Sequence, residues 1–102
     1  MYFIEKTEQF DKWFRKFRDI KTKARILARI KKIELGNLGD YKSLRSGLFE
    51  IRFTFGSGYR IYFMKKESRI ILLLLGGNKS SQIKDIEKAR TMVKRIENKN
   101  EK

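Results

Sequence analysis

Three stretches between Leu48 and Leu75 limit what this chain can fold into. In Leu48–Phe55, reading LFEIRFTF, the apolar Phe49, Ile51, Phe53 and Phe55 alternate with Glu50, Arg52 and Thr54. Period-2 alternation specifies a half-buried strand, because successive side chains leave a pleated backbone on opposite faces. After Gly56-Ser57-Gly58, a second run places Tyr59, Ile61 and Phe63 on one face and Arg60, Tyr62 and Met64 on the other. A three-residue glycine-containing connection between two such runs predicts a β-hairpin. If Phe55 faces Tyr59, then Thr54 lies opposite Arg60 and Arg52 opposite Tyr62. The third stretch, Ile70–Leu75, is apolar on both faces, as a central strand covered above and below must be. It runs into Gly76-Gly77-Asn78-Lys79-Ser80-Ser81-Gln82, a flexible corner before a helix.

The remaining elements are arranged around this sheet. Tyr2-Phe3-Ile4 is a short edge strand, and Thr7 suits a helix N-cap. Phe10, Trp13, Phe14 and Phe17 recur at i, i+3, i+4, i+7, an aromatic stripe that reads as core. Asp19 caps a second helix reaching about Leu35 and closed by Gly36, with Ile26, Leu27, Ile30 and Ile33 as its apolar set. Lys21, Arg25, Arg29 and Lys32 form a basic stripe along that helix, either a solvated face or a contact for nucleic acid. Asn37 to Gly47 reads as a polar connector. Ser80 or Ser81 caps a last helix with Ile83, Ile86, Ala89, Val93 and Ile96 on one face, and residues 98–102 are expected to fray. No repeat, low-complexity tract or proline marks a boundary, so residues 1–102 read as one domain. The order β-α-α-β-β-β-α is that of an α+β fold.

Charge bounds the partners. Lys and Arg number 26 against 12 Asp and Glu, a net charge of +14 that points to nucleic acid, an acidic protein, or both. Cysteine and histidine are absent, which excludes disulfides and thiolate metal sites and removes the commonest general base and zinc ligand. No cofactor is expected. MYFIEKTEQF lacks the pattern of a signal peptide, and the longest apolar run is far short of the ~20 residues a membrane helix needs. A cytoplasmic protein is expected.

Two arginines on one sheet face, Arg52 and Arg60, with Lys79 at the end of the central strand, make a candidate anion site. Gly76-Gly77-Asn78-Lys79-Ser80 lacks the glycine spacing of a P-loop, but it places a lysine beside a helix N-terminus, where free N–H groups favour an anion. The blander readings are an arginine paired with Glu50 and a solvated lysine on a turn. With Tyr62 close by, the same face could hold phosphates and a base together. No paired carboxylates, Ser/His/Asp set or metal constellation can be assembled. An enzyme built this way must work with Arg, Lys, Tyr and Gln, which suits phosphodiester cleavage by the 2′-OH of RNA itself.

GLFEIRFTFGSGYRIYF followed by ILLLLGGNKSSQIKDIEKA resembles the HigB-like "addiction module killer" branch of the RelE/ParE toxin superfamily, and the similarity covers nearly the whole chain. The resemblance implies a curved antiparallel sheet with an N-terminal helical hairpin on one face and a C-terminal helix. It further implies a toxin of a type II toxin–antitoxin pair, a metal-independent endoribonuclease that cleaves mRNA on translating ribosomes and inhibits translation. Its partner would be a cognate antitoxin of helix-turn-helix type. Arg60 matches the arginine of the family's Tyr-Arg strand motif, Arg52 that of the preceding strand, and Lys79 the basic position after the last strand. These are the implied catalytic residues, and Tyr62 and Gln82 join the α-helical stripe as implied RNA contacts. The chain departs from the best-known ribonuclease members in lacking histidine and a tyrosine in its last helix, and Asn78 stands where an aspartate is common. Two other functions share the fold or the charge: a ParE-like, non-catalytic inhibitor of DNA gyrase, and a plain basic RNA-binding module.

Overall fold

The computed structural model describes residues 1–100. The doubly apolar run becomes β5, Ile70–Gly77, inside a five-stranded sheet. The other strands are β1 Phe3–Lys6, β2 Tyr41–Ser43, β3 Leu48–Arg52 and β4 Arg60–Glu67, and their order across the sheet is β1-β5-β4-β3-β2. β2 to β5 pair antiparallel, while β1 joins β5 in parallel with Phe3 opposite Ile70. The sheet is therefore mostly, not wholly, antiparallel.

α1, Glu8–Arg15, and α2, Ile20–Glu34, cover one face, and α3, Gln82–Asn100, covers the other. On the first face Ile51, Phe53, Ile61, Phe63, Ile71 and Leu73 meet Phe10, Ile26, Ile30 and Ile33. On the second, Leu48, Tyr62, Met64, Leu72, Leu74 and Leu75 meet Ala89, Met92 and Val93. The predicted caps of α1 and α2 form. The Thr7 hydroxyl oxygen accepts from the Phe10 N–H at 3.1 Å and donates to the Leu74 carbonyl, so one residue starts α1 and ties it to β5. Asp19 accepts from the Lys21 N–H at 3.0 Å and the Thr22 hydroxyl at 2.9 Å. Gly36, at φ +101°, ends α2 in a conformation that strains any L side chain.

Several expectations change. The strands of the hairpin stop at Arg52 and resume at Arg60, so Glu50 faces Tyr62 and Arg52 faces Arg60, a register two residues from the one expected. The cause is the turn that closes the hairpin. Phe53 N–H bonds to the Tyr59 carbonyl at 3.0 Å, carrying this register one step beyond the strands. Gly58 N–H bonds to the Phe55 carbonyl at 3.3 Å, while the Phe53, Phe55 and Tyr59 rings pack edge to face. The polar connector contains β2. The inward set of α2 is Thr22, Ile26, Ile30 and Ile33, and Leu27 falls one position off that stripe, 48% exposed. At the start of α3, Gln82 turns inward, which rotates Ile83 outward to 78% exposure, and Met92 takes an inward place. The cap before α3 is Asn78, not Ser80 or Ser81, closing a 3₁₀ turn over Lys79–Ser81. α3 continues through Asn100, so residues 98–100 are helical, and 101–102 lie outside the described residues. No helix among the described residues is long and apolar enough to cross a membrane.

Candidate functional site

Antiparallel pairing sets Arg52 directly opposite Arg60 at the loop end of the hairpin. Like charges so placed repel, and each guanidinium is answered by its own carboxylate. Arg52 Nη2 meets Asp40 Oδ1 at 3.1 Å, in a pair whose side chains are both about half exposed. Arg60 Nε faces Glu50 Oε2 at 3.5 Å, with Arg60 largely and Glu50 wholly buried. Arg60 Nη1 also donates to the Gly58 carbonyl at 3.2 Å.

Gly58, at φ +75°, lets a third cation approach. A β-carbon there would lie 3.3 Å from Lys79 Cβ and 3.7 Å from Arg60 Nη1. The Lys79 N–H reaches the Ser57 carbonyl at 3.4 Å, joining the corner after β5 to the hairpin loop. The outcome is an open cleft of about 440 Å³ lined by Arg52, Arg60 and Lys79 together with Asp40, Thr54 and Gly58. The three residues named as catalytic from the sequence thus share one cleft.

The glycine pair before Lys79 has a packing reason. A β-carbon on Gly76 would overlap the Trp13 ring, and one on Gly77 would overlap the Asp85 carboxylate, which accepts from the Ser81 hydroxyl. The corner is stiff rather than flexible. Asn78 Oδ1 accepts from the Ser80 and Ser81 N–H groups at 2.9 and 3.2 Å, and Ser81 Oγ accepts from the Asn78 N–H at 3.2 Å. Those donors are occupied, so the helix N-terminus is not the free anion cradle expected. Lys79 faces the cleft through its side chain.

Behind the cleft lies a buried polar group. Glu50 accepts from the Gln82 amide at 2.9 Å. Tyr62, opposite Glu50, has no exposed surface. Burial, then the negative charges of Glu50 and Asp85, push its hydroxyl well above the ordinary tyrosine range. α3 covers the sheet face expected to be open, so Tyr62 cannot stack on a base in this conformation, and the Gln82 amide points inward to Glu50.

The α2 stripe divides. Arg29 is a staple: its guanidinium donates to the carbonyls of Arg52, Leu38 and Asp40 at 3.1, 3.1 and 2.8 Å and lies over the Phe53 ring. Burial lowers its pKa, with Asp40 opposing that shift. A β-carbon at Gly39 would sit 2.9 Å from its Nε, so that glycine makes room for it. Arg29 serves the fold and offers no free fork. Arg25, over the Phe55 ring at 4.9 Å, and Lys32 line a groove of about 380 Å³ that shares Asp40, Arg52, Phe53 and Thr54 with the cleft. Lys21 is exposed and lines neither. Among the described residues no group of three or more acidic side chains is placed to hold a metal ion.

Asp40 was not singled out from the sequence. It reaches Arg52 only because β2 and β3 pair, which brings the Arg52 N–H to the Asp40 carbonyl at 3.0 Å. A lone aspartate in a polar connector carries no local signal of that.

The family model of phage-derived Gp49-like proteins matches residues 12–97. An uncharacterized protein of Haemophilus influenzae is 42% identical over 93 residues, spanning 91% of this chain and 94% of its own. The isolated RelE toxin of E. coli superposes with a TM-score of 0.63 at 17% identity, over 84% of this chain and 99% of that one. RelE in the intact E. coli RelBE toxin–antitoxin complex gives 0.61 at 17%, over 76% and 96%. At that identity the likeness establishes the fold.

Proposed function

The chain belongs to the phage-derived Gp49-like family, and from that premise we propose that it is the toxin of a type II toxin–antitoxin pair. Its activity on this reading is metal-independent endonucleolytic cleavage of mRNA on the ribosome, in the manner of the HigB-like branch, which stops translation and growth. One observation carries the reading: Arg52, Arg60 and Lys79 line a single open cleft. The shared fold of RelE, a toxin crystallised both alone and with its antitoxin, supports it.

In such a cleft the 2′-OH of the nucleotide on the 5′ side gives its proton to water as it attacks the adjacent phosphorus, and the 5′-oxygen of the next nucleotide departs and takes up a proton. The products are a 2′,3′-cyclic phosphate and a 5′-hydroxyl, so no protein nucleophile is consumed. Arg60 and Arg52 stabilise the charge that grows on the phosphorane oxygens, where preorganised donors act most strongly. Lys79, whose side chain is free at the rim, clamps the phosphate or protonates the departing oxygen. Arg25 and Lys32 guide the flanking strand along the adjoining groove. A cytoplasmic site of action and a cognate, helix-turn-helix antitoxin, attracted by the +14 charge, belong to the same reading.

The test is to induce the chain from a tight promoter and map mRNA 5′ ends within minutes. New 5′-hydroxyl ends within translated frames are expected, and co-expression of the neighbouring reading frame should restore growth. Intact transcripts with altered DNA supercoiling would replace this reading with gyrase inhibition.

A further inference from the structure

We propose that Glu50 is a positioning residue that holds the Arg60 guanidinium in the orientation the cleft requires. The inference rests on the reading of the cleft as an RNA-cleaving site. Glu50 is 0% exposed, on the sheet face roofed by α3, opposite Tyr62 and two residues along its strand from Leu48. A buried carboxylate is costly, and an apolar residue of similar volume would pack there more favourably. Its contacts indicate what it does instead. Being one step diagonal from Arg60 across the β3–β4 ladder, its Oε2 faces Arg60 Nε at 3.5 Å while accepting the Gln82 amide at 2.9 Å. Arg60 is thereby held at two of its three nitrogens, Nε by Glu50 and Nη1 by the Gly58 carbonyl.

The Glu50–Arg60 approach is an ion pair, not a completed hydrogen bond. Arg60 Nε, Glu50 Oε1 and the Tyr62 hydroxyl are all buried without a hydrogen-bond partner. Contacts of this kind commonly tighten when a substrate is bound. An arginine side chain has several rotors, and misplacing a fork by about 1 Å can cost about a hundredfold in rate. Gln82, the first residue of α3, fixes Glu50 in turn, so the helix sets the arginine's position through one carboxylate.

Glu50→Gln, Gln82→Ala, Arg60→Gln, the double variant Glu50→Gln/Arg60→Gln and Lys79→Ala are compared by melting and by single-turnover cleavage of mRNA on programmed ribosomes, at a temperature where each is folded. Glu50→Gln should lower the rate by up to about a hundredfold, the loss that a misplacement of about 1 Å brings, with half-saturation unchanged. Gln82→Ala should lower it less. In the double variant melting should recover towards native, because no buried charge is left alone, while the rate stays at that of Arg60→Gln. The inference is overturned if folded Glu50→Gln cleaves at the native rate, or if Glu50→Gln slows the Arg60→Gln enzyme as much as it slows the native one. Should Glu50→Gln not fold, Gln82→Ala decides alone. Native cleavage by Lys79→Ala overturns the underlying reading of the cleft. An inactive Lys79→Ala beside a fully active Glu50→Gln overturns the Glu50 inference only.

Discussion

Lys79 and Arg60 line one cleft but differ in what their loss should do. Lys79 is exposed with its side chain free at the rim, so Lys79→Ala should melt with the native protein while losing toxicity and cleavage. Arg60 compensates a fully buried carboxylate, and stranding one member of such a pair is expensive. Arg60→Ala should therefore cost about 3 kcal/mol as well as activity, which thermal melts at neutral pH will show. Arg60→Lys retains a charge but not a planar fork, and should recover stability more than rate. Tyr62 offers a pH test. Its hydroxyl is held above the ordinary range by burial and by Glu50 and Asp85. Above about pH 10 the unfolded chain releases this proton while the folded chain keeps it, so stability falls as pH rises. The stabilising contribution is fully present below that pH. Tyr62→Phe should weaken the alkaline decline in urea midpoint relative to native, with little loss at pH 7, since the hydroxyl has no hydrogen-bond partner.

Among the elements, α2 is fastened at its N-terminus by Asp19 and along its length by Arg29. Hydrogen bonds from Thr22, then from the Lys21 backbone, lower the Asp19 pKa below 3.8. Its capping contribution is present above that value and is lost as pH falls through the lower folded value. An Asp19→Asn protein should thus show a shallower acid limb in a melting series. Arg29→Ala removes three bonds to carbonyls of the β2–β3 region and should cost about 1–3 kcal/mol, with antitoxin binding as a check on residual fold. Much of this architecture was legible. Alternation marked β3 and β4, a doubly apolar run marked β5, and the caps at Thr7 and Asp19 stood where side-chain oxygens precede apolar periodicity. The failures share a cause in long-range contact. The hairpin register differs because the turn closes from Gly58 N–H to the Phe55 carbonyl, which sets Phe53, not Phe55, opposite Tyr59, and β2 is exposed throughout, leaving no apolar pattern to read. The cleft was legible in its cations but not in Asp40, and Tyr62 looked available because nothing local says that α3 will cover it.

At the scale of the molecule, a net charge of +14 and a cationic cleft should make RNA or ribosome binding strongly salt-dependent. With about six phosphate contacts, affinity should drop about a thousandfold between roughly 50 and 200 mM salt in a polarisation titration. A flat titration would remove electrostatics as the basis of recognition. Arg52 and Arg60 are already partly neutralised by carboxylate partners, so a phosphate bound there releases fewer counterions. Each should add less to the salt slope than exposed Lys79 does. The parallel pairing of β1 with β5 bears on time rather than on energy. The first strand of the chain finds its partner only in the last, with Phe3 against Ile70 and α1, α2 and the other three strands between them in sequence. Closing so long a loop must wait for the strands between, and folding slows as contacts become less local. This edge of the sheet should be the last to acquire amide protection in a pulse-labelling experiment, and until then the newly folding protein lacks the strand that leads into the Thr7 cap and α1.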